Sequence, residues 1–230
     1  MGKHGHPTMP RLILIRHGET EWSLNGRHTG KTDIPLTSNG EELVRSLGQR
    51  IVGKGKMLDP DHIQGVLVSP RQRAQTTFNL LFRENLDEAD VPKSETEQDV
   101  QEWDYGKYEG LVSKEIRERY KEDWDIWVDG CEGGESAEEM TARCDRVIAK
   151  IVNMTRDHHE SNEEHRSGKG DVVVVSHGHF TRCLLTRWCE LPLTDGRRFG
   201  ADTGAITICG YQHGSFKERS LLGMNLFGEV

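Results

Sequence analysis

Three apolar runs in this chain stop at residues that can handle an anion. The run at 12–15 ends in Arg16-His17-Gly18, the run at 66–68 in Ser69-Pro70-Arg71-Gln72-Arg73, and the run at 172–175 in Ser176-His177-Gly178-His179. A neutral imidazole is a competent nucleophile toward phosphorus, and it needs no metal where guanidinium groups hold the phosphoryl oxygens. Phosphoryl transfer is mostly positioning and charge stabilisation, so a pocket of arginines and histidines supplies most of what its transition state requires. What remains is a proton for the leaving oxygen, ordinarily given by a carboxylic acid. Glu102, in QEWDYGKYEG, is the best-placed donor, with Asp104, Glu109 and Glu19 as rivals. One Arg-His pair at a strand end is more often a solvated terminus; three such ends suggest a shared site.

The elements that must bring these ends together are legible as alternating strand-length and helix-length runs, the pattern of an α/β sheet wrapped by helices. In such sheets ligands bind at the carboxyl ends of the strands, where helix N-termini present free amides. Residues 12–15 form the first strand. Ser38 and Glu41 have capping-box spacing, and Leu43, Val44, Leu47 and Ile51 follow on one helical face. A second strand covers 65–68. Ser69 as N-cap and Pro70 at the first helical position open a helix through about Phe82. A second capping box, Ser136 with Glu139, starts a helix striped by Met140, Cys144, Val147, Ile148 and Ile151. Residues 157–170 read as an exposed loop. The β-branched run at 172–175 reads as a strand buried on both faces. A last strand at 205–209 precedes a polar tail. The glycines after His17 and His177 are expected to let the backbone approach a ligand closely.

Composition narrows the partners. The 230-residue chain is long enough for one sizeable core, so residues 1–10 are expected to be a flexible tail and 11–230 a single domain. A formal net charge of −8 argues against nucleic acid or an anionic membrane as a partner. No apolar stretch approaches a membrane span, and nothing resembles a secretory leader. Five cysteines in no CxxC arrangement fit a reduced, cytoplasmic setting. His4, His6, His158, His159 and His165 lack metal-ligand spacing; no metal and no cofactor are expected. Trp103, Trp124 and Trp127 either line a lid or pack into the core, and packing is the commoner fate of tryptophan.

RHGET at 16–20, SPRQRAQTT at 69–77, EWDYGKYEG at 102–110, GES at 134–136 and SHGH at 176–179 resemble the histidine phosphatase superfamily, also called phosphoglycerate mutase-like. They stand in that family's order and span residues 11–211. The resemblance implies a three-layer α/β/α fold with a mostly parallel central sheet. It implies His17 as the phosphohistidine nucleophile, Arg16 and Arg73 as phosphate clamps, and His177 as the second pocket histidine. Glu102 becomes the acid that protonates the leaving group and then activates water. The arginine preceding alanine is the family's clamp, which favours Arg73 over Arg71.

A mutase forms the same phosphohistidine but must exclude water and hold a second phosphate with extra cations. Family mutases carry a longer insertion, with paired arginines, before GES; here 105–133 is compact and its WDIWVDGCEGG end has no basic residue. Ser23 stands where mutases have asparagine. Hydrolysis is therefore expected, with phosphoglycerate mutase as the alternative and a non-catalytic phosphate-binding module as an alternative of another class. TEWS at 20–23, HTG at 28–30, EWDYGKYEG and SHGH most resemble the sugar-phosphate phosphatases related to sedoheptulose-1,7-bisphosphatase. By that likeness Ser23, Thr29, Gly30, Tyr105, Gly178 and His179 are substrate-binding candidates, His179 equally well a structural support. Arg27, His28, Lys31 and Lys107 are candidates for meeting a second phosphate. The expected partner is a small phosphorylated molecule, and a homo-oligomer is compatible with the sequence.

Overall fold

The computed structural model describes residues 9–161 and 170–228. The segments 1–8 and 162–169, with His4, His6 and His165, lie outside them, as do the side chains of His158 and His159. Its centre is a six-stranded sheet. In chain order the strands are β1 (Leu12–Arg16), β2 (Ile63–Val68), β3 (Ser94–Thr96), β4 (Asp171–Ser176), β5 (Ile206–Tyr211) and β6 (Arg219–Leu226). Across the sheet they run β3-β2-β4-β1-β5-β6. The first four are parallel; β5 is antiparallel to β1, and β6 antiparallel to β5. The helices are α1 (Glu21–Asn25), α2 (Ser38–Ile51), α3 (Gln72–Phe78), α4 (Ser113–Arg119), α5 (Ile126–Asp129), α6 (Ala137–Ser161) and α7 (Gly178–Trp188).

Alternation along the strands makes the layers. Leu12 and Leu14 of β1 join Val172 and Val174 of β4 in a core with Met140, Cys144 and Ile151 of α6 and Phe180 and Leu184 of α7. Ile13, Ile15, Val173 and Val175 point the other way, into a core with Val44 and Leu47 of α2 and Ala74 and Phe78 of α3. Successive strand side chains face opposite sides, so a continuous aliphatic run such as 172–175 requires cover on both. The expected three-layer arrangement is present, and Trp103, Trp124 and Trp127 are buried in the first of these cores.

Several local expectations are corrected. The cap of α2 is Thr37, whose hydroxyl accepts from Gly40 N, not Ser38; Leu43 stays exposed. The cap of α3 is Arg71, with no side-chain bond; Ser69 is spent on other partners, and the helix continues through Asn79–Arg83 as a π turn. The Ser136–Glu139 capping box forms reciprocally, at 2.8 and 3.1 Å, but α6 runs to Ser161, into the segment read as loop. The polar tail contains β6, an edge strand paired with β5. No helix among the described residues is long and apolar enough to cross a membrane.

Register aligns the strand ends. Arg16 stands beside Ser176 and Val68 beside Val175. His17 N donates to Ser176 O at 2.9 Å, and Ser69 N to Val175 O at 3.0 Å.

Candidate active site

The aligned ends converge on His17 and His177, whose rings meet edge to face with centroids 5.1 Å apart. His17 Nδ1 lies 2.7 Å from the carbonyl oxygen of Gly18. A carbonyl only accepts, so Nδ1 carries the proton and Nε2 the lone pair. Burial, then the charges of Arg73 and Arg16, hold the His17 pKa well below its ordinary value, so the ring is neutral at pH 7. His17 is an imidazole with a fixed tautomer and a nucleophilic nitrogen that no described residue bonds.

Arg16 and Arg73 take different positions. Arg16 lines the open cleft beside His17. Its Nη1 donates to Ala201 O at 2.6 Å, while its Nε is buried without a partner among the described residues. A buried unpaired guanidinium donor is costly unless a ligand answers it. Arg73 is wholly enclosed. It spends its donors on Thr32 O, Thr29 O and Gly30 O at 2.9–3.2 Å, and its Nε donates to His177 Nδ1 at 3.2 Å. His177 Nε2 in turn lies 2.7 Å from Ser69 Oγ. Arg73 and His177 therefore stand behind His17 in an all-protein network, not on the cleft wall. Burial, Arg73 and His17 hold the His177 pKa well down. The Arg71 guanidinium turns to Gln101 Oε1, and only its backbone N–H, donating to Ser69 Oγ at 3.4 Å, touches this network.

Glu102 lines the cleft as well. Its Oε1 accepts from Trp103 N at 2.8 Å and Phe180 N at 2.9 Å, and its Oε2 from His179 N at 3.0 Å. The carboxylate thus caps the first turn of α7, where free amides and the helix dipole favour it. Each rival carboxylate is committed elsewhere. Glu19 takes the Thr37 hydroxyl and Asn39, Glu109 the amides of Gly30 and Thr32, and Asp104 the ammonium of Lys31.

The GES segment acts at one remove. Gly134 packs so tightly that a Cβ there would lie 2.2 Å from Asp104 O. Glu135 forms a double bond pair with Arg143 of α6, at 2.7 and 2.6 Å. Arg143 then donates to the carbonyls of Asp99 and Gln101 at 2.8 and 2.7 Å, holding the loop that presents Glu102.

The cleft measures about 490 Å³. Ser23, Thr29, Tyr105, Gly178 and His179 line it, as do Arg27 and His28. Ser23 also exchanges hydrogen bonds with Thr20 around the start of α1. Gly30 does not reach the cleft: its amide binds Glu109, and a Cβ would strike Trp103 O at 2.5 Å. Lys31 and Lys107 are paired with Asp104 and Glu132 away from it. Gly18, expected to make room for a ligand, makes room for α2 instead: a Cβ would meet Val44 Cγ2 at 2.7 Å. Gly178 does sit against Arg16: a Cβ there would lie 3.2 Å from its Cζ. The sequence reading missed Arg182 and the 199–202 segment, both on the cleft wall. Arg182 lies one helical turn beyond His179 on α7, an i, i+3 spacing that would have flagged it. Among the described residues there is no cluster able to hold a metal ion.

Residues 12–222 match the family model described as the histidine phosphatase superfamily, branch 1. The chain belongs to the histidine phosphatase superfamily. It is 40% identical over 224 residues to an acid phosphatase of Mycobacterium tuberculosis, an alignment covering 97% of this chain and 95% of that one. It is 37% identical over 190 residues to sedoheptulose 1,7-bisphosphatase of Saccharomyces cerevisiae, covering 79% and 68%. A solved structure of an open reading frame from Mycobacterium tuberculosis superposes with TM-score 0.74 at 38% identity, covering 94% of this chain and 97% of that one. The sequence resemblance to this superfamily is thus borne out, and with it the fold.

Proposed function

We propose that this histidine phosphatase hydrolyses small sugar phosphates through a covalent phosphohistidine on His17. The observation that carries the reading is the fixed tautomer of His17, with Nδ1 held by the Gly18 carbonyl and Nε2 free in a ring that its surroundings keep neutral. In the first step Nε2 attacks phosphorus, the phosphorus–ester oxygen bond breaks, and Glu102, which takes up a proton when the anionic phosphate binds beside it, gives that proton to the departing alkoxide. In the second, the Glu102 carboxylate takes a proton from water, whose oxygen displaces the imidazole from phosphorus. Inorganic phosphate leaves and Glu102 is again protonated. Arg16, with its unanswered Nε, binds the phosphoryl oxygens. Arg73 and His177 bound the phosphoryl site from behind, and Arg73 adds positive charge close to where negative charge builds.

A sugar ester as substrate is supported by the polar cleft, by the relatedness to the yeast sedoheptulose 1,7-bisphosphatase, and by the segments at 20–23, 28–30, 102–110 and 176–179. Water as the acceptor is supported by the openness of that cleft and by the commitment of Arg27 to Gly110 O and Glu115, which leaves few free cations for a mutase's second anion. The test is incubation with sedoheptulose 1,7-bisphosphate, quenching, and a search for an acid-labile phosphoenzyme. It should form in the parent and be absent in His17→Ala. Turnover by that variant would refute the nucleophile, and phosphoglycerate isomerisation outrunning phosphate release would refute hydrolysis.

A further inference from the structure

Two histidines on the cleft wall stand parallel. The rings of His28 and His179 have centroids 5.9 Å apart and planes inclined by 9°, and both line the cleft that holds His17 and Glu102. Each ring has its Nδ1 committed to a protein group. His28 Nδ1 lies 2.7 Å from Leu111 O; since the carbonyl only accepts, Nδ1 bears the proton and Nε2 the lone pair. His179 Nδ1 lies 2.7 Å from the hydroxyl of Tyr105. That phenol is buried, and burial together with the Glu102 charge pushes its pKa well up. It keeps its proton, and this nitrogen is the acceptor that the described residues offer it. Nδ1 of His179 therefore accepts, and Nε2 carries the N–H.

Both rings stay neutral. Burial lowers the pKa of His28, and burial followed by the charges of Arg182, His28 and Arg16 lowers that of His179. The two rings thus have opposite tautomers: His28 presents an acceptor and His179 a donor, and no described residue bonds either Nε2. A dianionic phosphoryl group offers acceptors alone and would answer only His179. A hydroxyl is both donor and acceptor, and it answers both rings.

We infer that His28 and His179 form a pair that reads the hydroxyls of the leaving group. One hydroxyl, or two neighbouring ones, donates to His28 Nε2 and accepts from His179 Nε2. This selects esters of polyols over esters of plain alcohols. Tyr105 is the positioning residue that sets the His179 tautomer, and Leu111 O does the same for His28. A site that hydrogen-bonds hydroxyls rejects the analogue lacking them, because its own polar groups are then left unpaired.

The inference rests on the phosphate-ester reading above, and its test is separable from it. The kcat/KM values for sedoheptulose 1,7-bisphosphate and n-propyl phosphate are compared. Both esters release an alkoxide that needs the Glu102 proton, but only the first carries hydroxyls. In His179→Ala and in His28→Ala the ratio of the two values should fall roughly 10-fold, the size expected for one lost hydrogen bond. Tyr105→Phe should lower it less, and His179→Gln, which keeps an N–H donor, should restore part of it. An unchanged ratio would overturn the inference: equal loss on both esters would mean that the imidazoles only shape the cleft. A parent enzyme that favours the plain ester would also overturn it. Full turnover of both esters by His17→Ala would instead strike the phosphohistidine reading and leave the pair standing.

Discussion

Mild acid should destabilise this protein steeply, because three of its histidines, and His28 to a lesser degree, are held neutral where the unfolded chain would charge them. Burial is the first cause for His17, His177 and His179; neighbouring arginines are the second, Arg73 for His17 and His177 and Arg182 for His179. All three pKa values lie well below 6.5 in the folded state, whereas in the unfolded chain each group titrates near 6.5. As pH falls through that value the unfolded state takes up protons that the folded state refuses. The stabilisation is therefore present above about pH 6.5 and lost below it. Each group costs on the order of 1 kcal/mol by pH 5.5 relative to pH 7.5, and the three together a few kcal/mol. A domain of this kind has only about 5–15 kcal/mol in total. Carboxylates titrate near pH 4, so the window between 7.5 and 5.5 isolates the histidines. Urea unfolding at pH 7.5, 6.5 and 5.5 reads the loss directly, and His177→Asn should flatten the slope by about a third. A midpoint that does not move across the window, or a His177→Asn slope equal to the parent's, would refute the burial argument and the neutral state of the proposed nucleophile with it.

Two further substitutions probe the carboxylate and its support. Glu102→Gln keeps the side chain's shape but cannot shuttle a proton, so kcat for phosphate release from sugar phosphates should fall by about 10²–10⁴, with far-UV circular dichroism unchanged. Glu135→Ala leaves Arg143 buried without its counter-charge, a loss of about 3–5 kcal/mol in thermal or urea unfolding. Pairing it with Arg143→Met should recover much of that stability while activity stays low, since the carbonyls of Asp99 and Gln101 then lack the donor that holds the Glu102 loop. Gly18→Ala places a methyl 2.7 Å from Val44 Cγ2 and should cost about 1–3 kcal/mol, read in the same unfolding assay.

What could be read from the sequence, and what could not, divides along the range of the interactions involved. The ends of β1, β2 and β4 were legible because aliphatic runs followed by glycine and charge are local features, and parallel register does the rest. The cap of α2 was misplaced by one residue because Thr37 and Ser38 are both competent caps, and the choice falls to the contact of Thr37 with Glu19. Edge strand β6 was hidden because it needs no continuous apolar run: it is half-buried, and its order comes from pairing with β5. Arg73, favoured over Arg71 as a phosphate clamp, bonds His177, but its enclosure depends on the carbonyls of Thr29, Gly30 and Thr32, which belong to a distant loop. The same limit governs the tautomers. Nothing near His28 or His179 in the chain says which nitrogen holds the proton; Leu111 and Tyr105 decide it across the fold. Residue types at strand ends therefore announce the class of chemistry. The direction of each hydrogen bond in the cleft, on which the proposed selection of the leaving group rests, comes from partners far away in the sequence.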